Sequence, residues 1–144
     1  MPIKAGTALL AIVAVMTSGS AHSAVRIYDD PGGQIGAYVA KYRALRATGE
    51  QVIIDGTCAS ACTMILGVIP RNRLCVTPRA VLEFHTAWNS SPSGERVISR
   101  AGNSALWSIY PSDIRRWIEQ HGGLGSQIIS LRGAALEAMV RPCR

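Results

Sequence analysis

Ser60 lies between Cys58 and Cys62, where an apolar strand pattern changes abruptly into an apolar helical pattern. In an α/β sheet, such a turn lies at the carboxyl edge, where crevices form and where free helix N–H groups favour developing negative charge. A serine hydroxyl placed there can act as a nucleophile once a base accepts its proton. The segment DGTCASACTMIL, residues 55–66, therefore predicts a turn that presents Ser60. The alternative is that Ser60 only caps the helix.

The base is expected to be one of three histidines. His22 lies in an N-terminal segment that is predicted to be removed, and His121 lies at a predicted helix end beside two glycines, where a C-terminal cap is its ordinary role. His85 ends the β-type run VLEFH, at the same predicted sheet edge as Ser60. We therefore predict that His85 is the base, against the alternative of a polar residue that merely ends a strand.

Two backbone N–H groups are expected to bind an oxyanion beside Ser60. One is the N–H of Ala61, which follows the serine at the start of the helix. The other is expected from the turn PGG, which ends the preceding strand VRIY and offers Gly32 or Gly33. The residue types at this edge thus predict acyl transfer.

The order of elements predicts an α/β fold with a mostly parallel sheet and flanking helices. The runs VRIY, QVIID, RLCV and VLEFH are typical of strands, and QIGAYVAKYRALRAT repeats apolar residues at helical spacing up to Gly49. Strands that alternate with helices favour parallel crossovers. After His85 the sequence predicts a polar loop and a helical tail with helices at about 95–110, 112–121 and 126–140.

The first 24 residues are predicted to be a secretory signal peptide. One lysine precedes an apolar run that is shorter than the roughly 20 residues of a membrane span, and small residues follow it. Cleavage after Ala21, Ser23 or Ala24 satisfies the small-residue rule equally well. Residues 25–144 are predicted to form a single domain that is exported to the periplasm or secreted; an uncleaved membrane anchor is the alternative.

The charged residues do not predict a nucleic-acid partner. Removal of Lys4 with the leader leaves 14 basic residues against 9 acidic ones, and the basic residues are scattered without a run or interleaved aromatic side chains. Solvated surface charge explains this pattern.

The four cysteines predict two disulfides. Cys58, Cys62, Cys75 and Cys143 form an even set, which in an oxidising compartment allows three pairings. Residues four apart on a regular helix have Cβ atoms about 5–6 Å apart, whereas a disulfide prefers about 3.8 Å. Cys58 and Cys62 are therefore expected to pair with Cys75 and Cys143 rather than with each other. The spacing matches no common zinc module, so no metal site is expected.

Three segments in order resemble the Clp protease proteolytic subunit and its crotonase-fold relatives. YDDPGGQIGAY resembles the Gly-rich loop, DGTCASACTMIL the serine motif, and RNRLCVTPRAVLEFHTA the histidine strand, with 25 residues between Ser60 and His85. The resemblance covers residues 27–88. The tail, from YPSDIRRWIEQHGGL to the C-terminus, looks like that of the exported, largely uncharacterised bacterial branch.

This resemblance implies a Clp protease/crotonase-like fold, truncated at its N-terminus, with Ser60 as nucleophile and His85 as base. It implies Ala61 with Gly32 or Gly33 as oxyanion donors, a peptide or protein substrate, self-association and no cofactor. The family's third catalytic residue, an Asp at a strand end, has no counterpart here. Asp113 is the remaining candidate for it, although PSDIRR is typical of the first turn of a helix.

The predicted function is an exported, ATP-independent serine hydrolase that acts on peptides. The loops that dock an ATPase in the family have no counterpart, so no ATPase partner is expected. The alternative is a catalytically inactive scaffold or binding protein of the same fold, stabilised by its disulfides.

Overall fold

The computed structural model describes residues 23–144, and residues 1–22 of the predicted signal peptide lie outside the described part. The strands are β1 (Ala24–Ile27), β2 (Gln51–Ile54), β3 (Thr57–Ala59), β4 (Leu74–Val76), β5 (Val81–Phe84), β6 (Trp88–Ser90), β7 (Arg96–Ile98) and β8 (Ile129–Arg132). The helices are α1 (Ile35–Thr48), α2 (Ile65–Val68), α3 (Arg100–Ile109), α4 (Ser112–Gln120) and α5 (Gly133–Glu137), with 3₁₀ helices at Ser60–Met64 and Arg71–Arg73. No helix within residues 23–144 is both long and apolar enough to cross a bilayer.

The strands form two three-stranded sheets and a separate hairpin, rather than the single sheet expected from the sequence. The first sheet has the order β1-β2-β4 and is parallel throughout; the second has the order β3-β5-β8, with β3 and β5 parallel and β8 antiparallel. After short bends, β2 leads into β3 and β4 leads into β5, while β1 leads to Asp30, which bridges to Cys58 on β3. The prediction of parallel strands is therefore confirmed for β1, β2 and β4 and for β3 with β5, whereas β8 is antiparallel. The bends divide the predicted single sheet into two.

The core lies between these sheets and the helices that follow their strands. Every second residue of β2 and β5 is buried, namely Val52, Ile54, Leu82 and Phe84, as expected for strands with one face on a core. Helix α1 matches its prediction and ends at Gly49, whose φ of 78° requires the left-handed region that glycine tolerates.

The region after β5 departs from the prediction of a loop followed by three helices. The predicted polar loop is part of the hairpin β6–β7, and α3 begins at Arg100 because residues 96–98 pair with residues 88–90. The predicted helix over 126–140 was wrong in its first half, where β8 pairs with β5. Pairing satisfies the backbone groups along β5 that would otherwise form an open sheet edge, and this outweighs local helical preference.

The disulfides confirm two bridges and correct their pairing. Cys58 bonds to Cys62, with Cα atoms 5.3 Å apart, and Cys75 bonds to Cys143, with Cα atoms 4.9 Å apart. The expectation that Cys58 and Cys62 pair elsewhere was wrong because it assumed a regular α-helix. Cys58 instead lies on β3 and Cys62 on the 3₁₀ helix beyond a sharp turn, so the helical spacing does not apply.

The two disulfides are expected to differ in their contribution to stability. In the loop-entropy account, a bridge between residues 68 apart stabilises the fold by about 4 kcal/mol and one between residues four apart by about 2 kcal/mol. We expect Cys75→Ala with Cys143→Ala to lower the free energy of unfolding about twice as much as Cys58→Ala with Cys62→Ala. Urea titration of both double variants, followed by tryptophan fluorescence, measures the two losses. Equal losses would contradict the prediction.

Asp55, in the bend after β2, is linked to the bend between β4 and β5 and to strand β1. Its carboxylate, only 7% exposed, accepts hydrogen bonds from Arg79 at 2.7 and 3.1 Å, from Thr77 at 2.7 Å and from Arg26 at 2.7 Å. The hydrogen bonds from Arg79 and Thr77 hold the pKa of Asp55 well below its usual range, and Arg26 lowers it further. Together these bonds outweigh burial, which acts to raise the pKa. The ionised form is therefore the one that the fold stabilises.

Acid is expected to remove this contribution. Because the folded-state pKa of Asp55 lies below its unfolded value of about 3.9, the stabilisation is complete above that value and is lost as pH falls towards the folded-state pKa. Asp55→Asn is therefore expected to be clearly less stable than wild type at pH 7, and the difference is expected to shrink below about pH 4. Urea titrations of both proteins at several pH values measure this difference. Asp113→Asn is the control, since its carboxylate is 45% exposed and its ion pair is therefore expected to contribute less than that of Asp55.

Candidate active site

Ser60 occupies a strained turn between β3 and the 3₁₀ helix. Its φ of 55° is the one positive value found for a residue other than glycine within residues 23–144. The left-handed conformation costs about 1–2 kcal/mol for a residue with a Cβ atom. Contacts elsewhere must therefore hold the turn, and backbone strain of this kind clusters at functional sites.

The disulfide and a buried tyrosine hold the far side of this turn. Cys58 and Cys62 are fully buried and covalently joined across it. The Tyr42 hydroxyl, from α1, donates a hydrogen bond of 2.9 Å to the carbonyl oxygen of Cys62. Burial raises the pKa of Tyr42 far above its usual range, so the hydroxyl keeps its proton for this bond.

A second chain of hydroxyl groups holds Ser60 itself. The Thr63 hydroxyl donates to the carbonyl oxygen of Ser60 at 2.6 Å and lies 2.6 Å from the Tyr110 hydroxyl. Because Thr63 has one hydroxyl hydrogen, Tyr110 must be the donor to Thr63. Burial raises the pKa of Tyr110 to about 12, which keeps that donor protonated. Thr63 could be anticipated from its position three residues after Ser60, whereas nothing in the sequence indicates Tyr110.

The Ser60 side chain is half-buried and does not cap the helix. The N-cap position is Ala59, which makes no side-chain cap, and within residues 23–144 the Ser60 hydroxyl makes no hydrogen bond. The capping alternative is therefore wrong. The hydroxyl is uncommitted.

The Gly-rich turn packs directly on Ser60. The N–H of Asp30 donates to the Thr57 carbonyl, and the N–H of Ala59 donates to the Asp30 carbonyl, so this turn follows β3 on the side opposite β5. Gly32 has a φ of 79°, and a Cβ atom there would lie 2.4 Å from the Ala59 oxygen and 2.8 Å from the Ser60 Cβ. This position therefore requires glycine for both space and conformation.

The two glycines proposed as oxyanion donors differ in whether their N–H group already has a hydrogen-bond partner. The Gly32 N–H donates to the Asp30 carboxylate at 2.9 Å and is already engaged. The Gly33 N–H has no hydrogen-bond partner within the described residues, and the Ala61 N–H, in the first turn of the 3₁₀ helix, has no intrahelical acceptor. Gly33 and Ala61 are therefore the two available donors.

Asp30 keeps the Gly-rich turn in place. Its carboxylate also accepts a hydrogen bond from the Tyr38 hydroxyl and lies 3.3 Å from the Lys41 ammonium group. Burial acts to raise the pKa of Asp30, but the bonds from Tyr38 and Gly32 and the charge of Lys41 outweigh it, so the pKa is lowered. Burial and the neighbouring carboxylate raise the pKa of Tyr38 to about 12.

His85 directly follows β5, the strand next to β3. The register pairs Ala59 with Glu83, so Ser60 is one residue beyond this pair and His85 two residues beyond it, at the carboxyl ends of parallel strands about 4.8 Å apart. The His85 Nδ1 lies 2.7 Å from the Thr86 carbonyl oxygen. Because a carbonyl only accepts, Nδ1 carries the hydrogen of the neutral ring and Nε2 keeps its lone pair.

The structure does not join Ser60 to His85 by a hydrogen bond, judged over residues 23–144. Hydrogen bonds between catalytic groups are often long before substrate binds. The strand register brings the two residues to one sheet edge, as the sequence predicted, but no hydrogen bond joins their side chains within the described residues.

Asp113 does not orient His85. Both of its carboxylate oxygens bind Arg71 at 3.0 Å, and one also accepts the N–H of Ile114 in the first turn of α4. In the described part of the chain, no carboxylate forms a hydrogen bond with His85. Asp113 thus lies at the helix start, as PSDIRR predicted, and its carboxylate pairs with Arg71 rather than with His85.

His121 has the capping position expected for it. It ends α4, and its Nδ1 lies 2.7 Å from the Trp117 carbonyl oxygen while its ring stacks on Trp117.

For metals, no group of three or more His, Cys, Asp or Glu side chains within residues 23–144 is placed to hold an ion.

Comparison with known proteins finds similarity among solved structures. No family model matches the sequence, and no curated protein matches it. Among solved structures, the chain is similar to a ClpP1 mutant from Listeria monocytogenes, with 13% sequence identity and a TM-score of 0.47, over 83% of this chain and 71% of that one. Function is therefore inferred from the geometry around Ser60.

Proposed function

We propose that this protein is a serine hydrolase that cleaves peptides without ATP. The observation that carries the proposal is Ser60, held at a positive φ between β3 and the 3₁₀ helix, with a hydroxyl that makes no hydrogen bond to the described residues. Gly32 allows the backbone of the Gly-rich turn to approach within contact of that residue. Backbone strain of this kind clusters at active sites, and backbone N–H groups close to a nucleophile can stabilise the oxyanion of acyl transfer.

In the proposed mechanism, His85 Nε2 accepts the proton of the Ser60 hydroxyl as Oγ attacks the carbonyl carbon of a peptide bond. The N–H groups of Gly33 and Ala61 bind the oxyanion of the tetrahedral intermediate. His85 then donates the proton to the leaving amine, and the acyl group stays on Ser60. Water, deprotonated by His85, releases the acid and restores the hydroxyl.

The proposed site of action is the periplasm or the outside of the cell. The two disulfides are compatible with export because such bonds persist in oxidising compartments. ATP is not available there, which agrees with a hydrolase that needs no ATPase partner. Self-association, implied by the resemblance to Clp protease, stays an expectation that light scattering of the oxidised protein measures.

One observation favours an inactive scaffold as the second candidate. Over residues 23–144, the His85 ring has neither the Ser60 hydroxyl nor a carboxylate as a hydrogen-bond partner. A fold that has lost its reaction would show this arrangement.

A fluorophosphonate probe separates the two candidates. Attack by Oγ on phosphorus displaces fluoride and leaves a stable phosphonate ester, which requires an activated serine. We expect the folded, oxidised protein to be labelled, with the adduct located on Ser60 by mass spectrometry, and heat-denatured protein to stay unlabelled. Folded protein that does not react would favour the scaffold.

A further inference from the structure

The His85 ring needs a partner that fixes its tautomer and orientation if it is to act as a base. In a Ser-His site this partner is commonly a carboxylate bonded to Nδ1. Here the partner of Nδ1 is the carbonyl oxygen of Thr86, at 2.7 Å. A backbone carbonyl can serve in this way only if its own peptide group is held still.

The peptide group that carries this carbonyl is bonded at its other end to Asn103. The Thr86 carbonyl and the Ala87 N–H belong to one planar peptide unit. The Ala87 N–H donates to Asn103 Oδ1 at 2.7 Å, while the carbonyl faces His85. Rotation of this peptide plane would therefore break both bonds together.

Asn103 also holds the Thr86 side chain. Its Nδ2 donates to the Thr86 hydroxyl oxygen at 2.8 Å, so both ends of the amide are engaged. Thr86 is 7% exposed, and its N–H donates to the Gly125 carbonyl at 2.8 Å. The segment is thus held from α3 on one side and from the loop before β8 on the other.

The start of α3 is fixed against the same segment. The Ser99 N–H donates to the Ala87 carbonyl at 2.8 Å, and the Ser99 hydroxyl accepts the Gly102 N–H as the helix cap. A Cβ atom at Gly102 would lie 2.7 Å from the Ala87 Cβ, so the helix and the segment are in close contact. Asn103 therefore acts from a rigid support, and not from a loop.

We propose that Asn103 is a positioning residue for His85, acting through the Thr86–Ala87 peptide. By accepting the Ala87 N–H it holds the Thr86 carbonyl towards Nδ1, which keeps the hydrogen on Nδ1 and leaves Nε2 free for the Ser60 proton. A hydrogen bond to one end of a peptide group also strengthens the acceptor at its other end. This peptide takes the place of the carboxylate that commonly binds Nδ1 in a Ser-His site. Its relevance to catalysis rests on the proposed function.

The test measures the tautomer of the His85 ring directly. Nitrogen-15 NMR of the imidazole distinguishes the two neutral tautomers, and His85→Gln assigns the signal against the other histidines. We expect wild-type His85 to be in the Nδ1–H tautomer. We expect Asn103→Ala to give a mixture of tautomers and to slow fluorophosphonate labelling about tenfold to a hundredfold, as expected for a misplaced catalytic group.

Two variants control for a merely structural effect. Asn103→Asp keeps an acceptor for the Ala87 N–H, and the Thr86 hydroxyl can turn to donate to it, so we expect the wild-type tautomer and a labelling rate within about threefold of wild type. Ser104→Ala changes an exposed neighbour on α3 and is expected to alter neither property.

The outcomes separate this proposal from the proposed function. An Nε2–H tautomer in wild type overturns the positioning role without any variant, even where Asn103→Ala does not fold. An unchanged tautomer and labelling rate in folded Asn103→Ala also overturn it, while the hydrolase stands. A tautomer that depends on Asn103 in a protein that the probe never labels supports the positioning of His85 and removes the hydrolase.

Discussion

Ser60→Ala and His85→Gln are each expected to lower the hydrolysis of an activated ester by at least about a thousandfold, and the double variant is expected to be no slower than either. The physical reason is that the two residues act as one unit: the hydroxyl is not a nucleophile without the base, and the base has no proton to accept without the hydroxyl. Steady-state rates of the three variants and of wild type measure this. Losses that multiply in the double variant would contradict a shared step.

Replacement of Ser60 by glycine is expected to raise stability and to abolish activity. Ser60→Gly removes the hydroxyl but also relieves the positive φ, so we expect it to be inactive and to stabilise the fold by up to about 1 kcal/mol. Ser60→Ala keeps the strain and is expected to leave the free energy of unfolding within about 0.5 kcal/mol of wild type. Ser104→Ala is the matched control for activity.

Gly32→Ala is expected to be the most damaging single change in the Gly-rich turn. The new methyl group would lie 2.4 Å from the Ala59 oxygen, 2.8 Å from the Ser60 Cβ and 2.9 Å from the Ala61 nitrogen, and all of these belong to the serine turn. Overpacking costs about 1–3 kcal/mol and the positive φ about 1–2 kcal/mol. We expect a loss of about 2–5 kcal/mol in the free energy of unfolding, together with loss of labelling at Ser60.

Gly36→Ala is the matched control for this prediction. Gly36 lies in the first turn of α1, four residues along from Gly32, and a Cβ atom there meets nothing within 4 Å. Alanine is a better helix former than glycine, so we expect stability to rise by up to about 1 kcal/mol and labelling to be unchanged. Urea titration and labelling rates of the two variants give the comparison. A Gly32→Ala protein as stable and reactive as Gly36→Ala would contradict the close approach.

Parts of the architecture could be predicted because their signals are local. The apolar spacing of α1 and its stop at Gly49, the strands β2 and β5, and the start of α4 at PSDIRR each depend on residues within a few positions of one another. The pairing of Cys58 with Cys62 could not be predicted in the same way. It depends on the φ of Ser60, and a backbone reversal of this kind has no reliable sequence signal for a residue other than glycine.

The residue pattern alone indicated which groups could take part in chemistry and predicted one sheet edge for them, namely the serine turn, the strand that precedes His85 and the two glycines. The packed fold was needed to show that the Gly32 N–H is bonded to Asp30 while the Gly33 N–H has no partner within residues 23–144. It was also needed to show that Tyr110, at the end of α3, holds the serine turn and that Asn103, on α3, holds the peptide next to His85. The bond between Gly32 and Asp30 is local, whereas the contacts of Tyr110 and Asn103 join residues that are 47 and 16 positions apart in the chain. Their energies depend on distances set by the packed fold, which no local pattern of residues encodes.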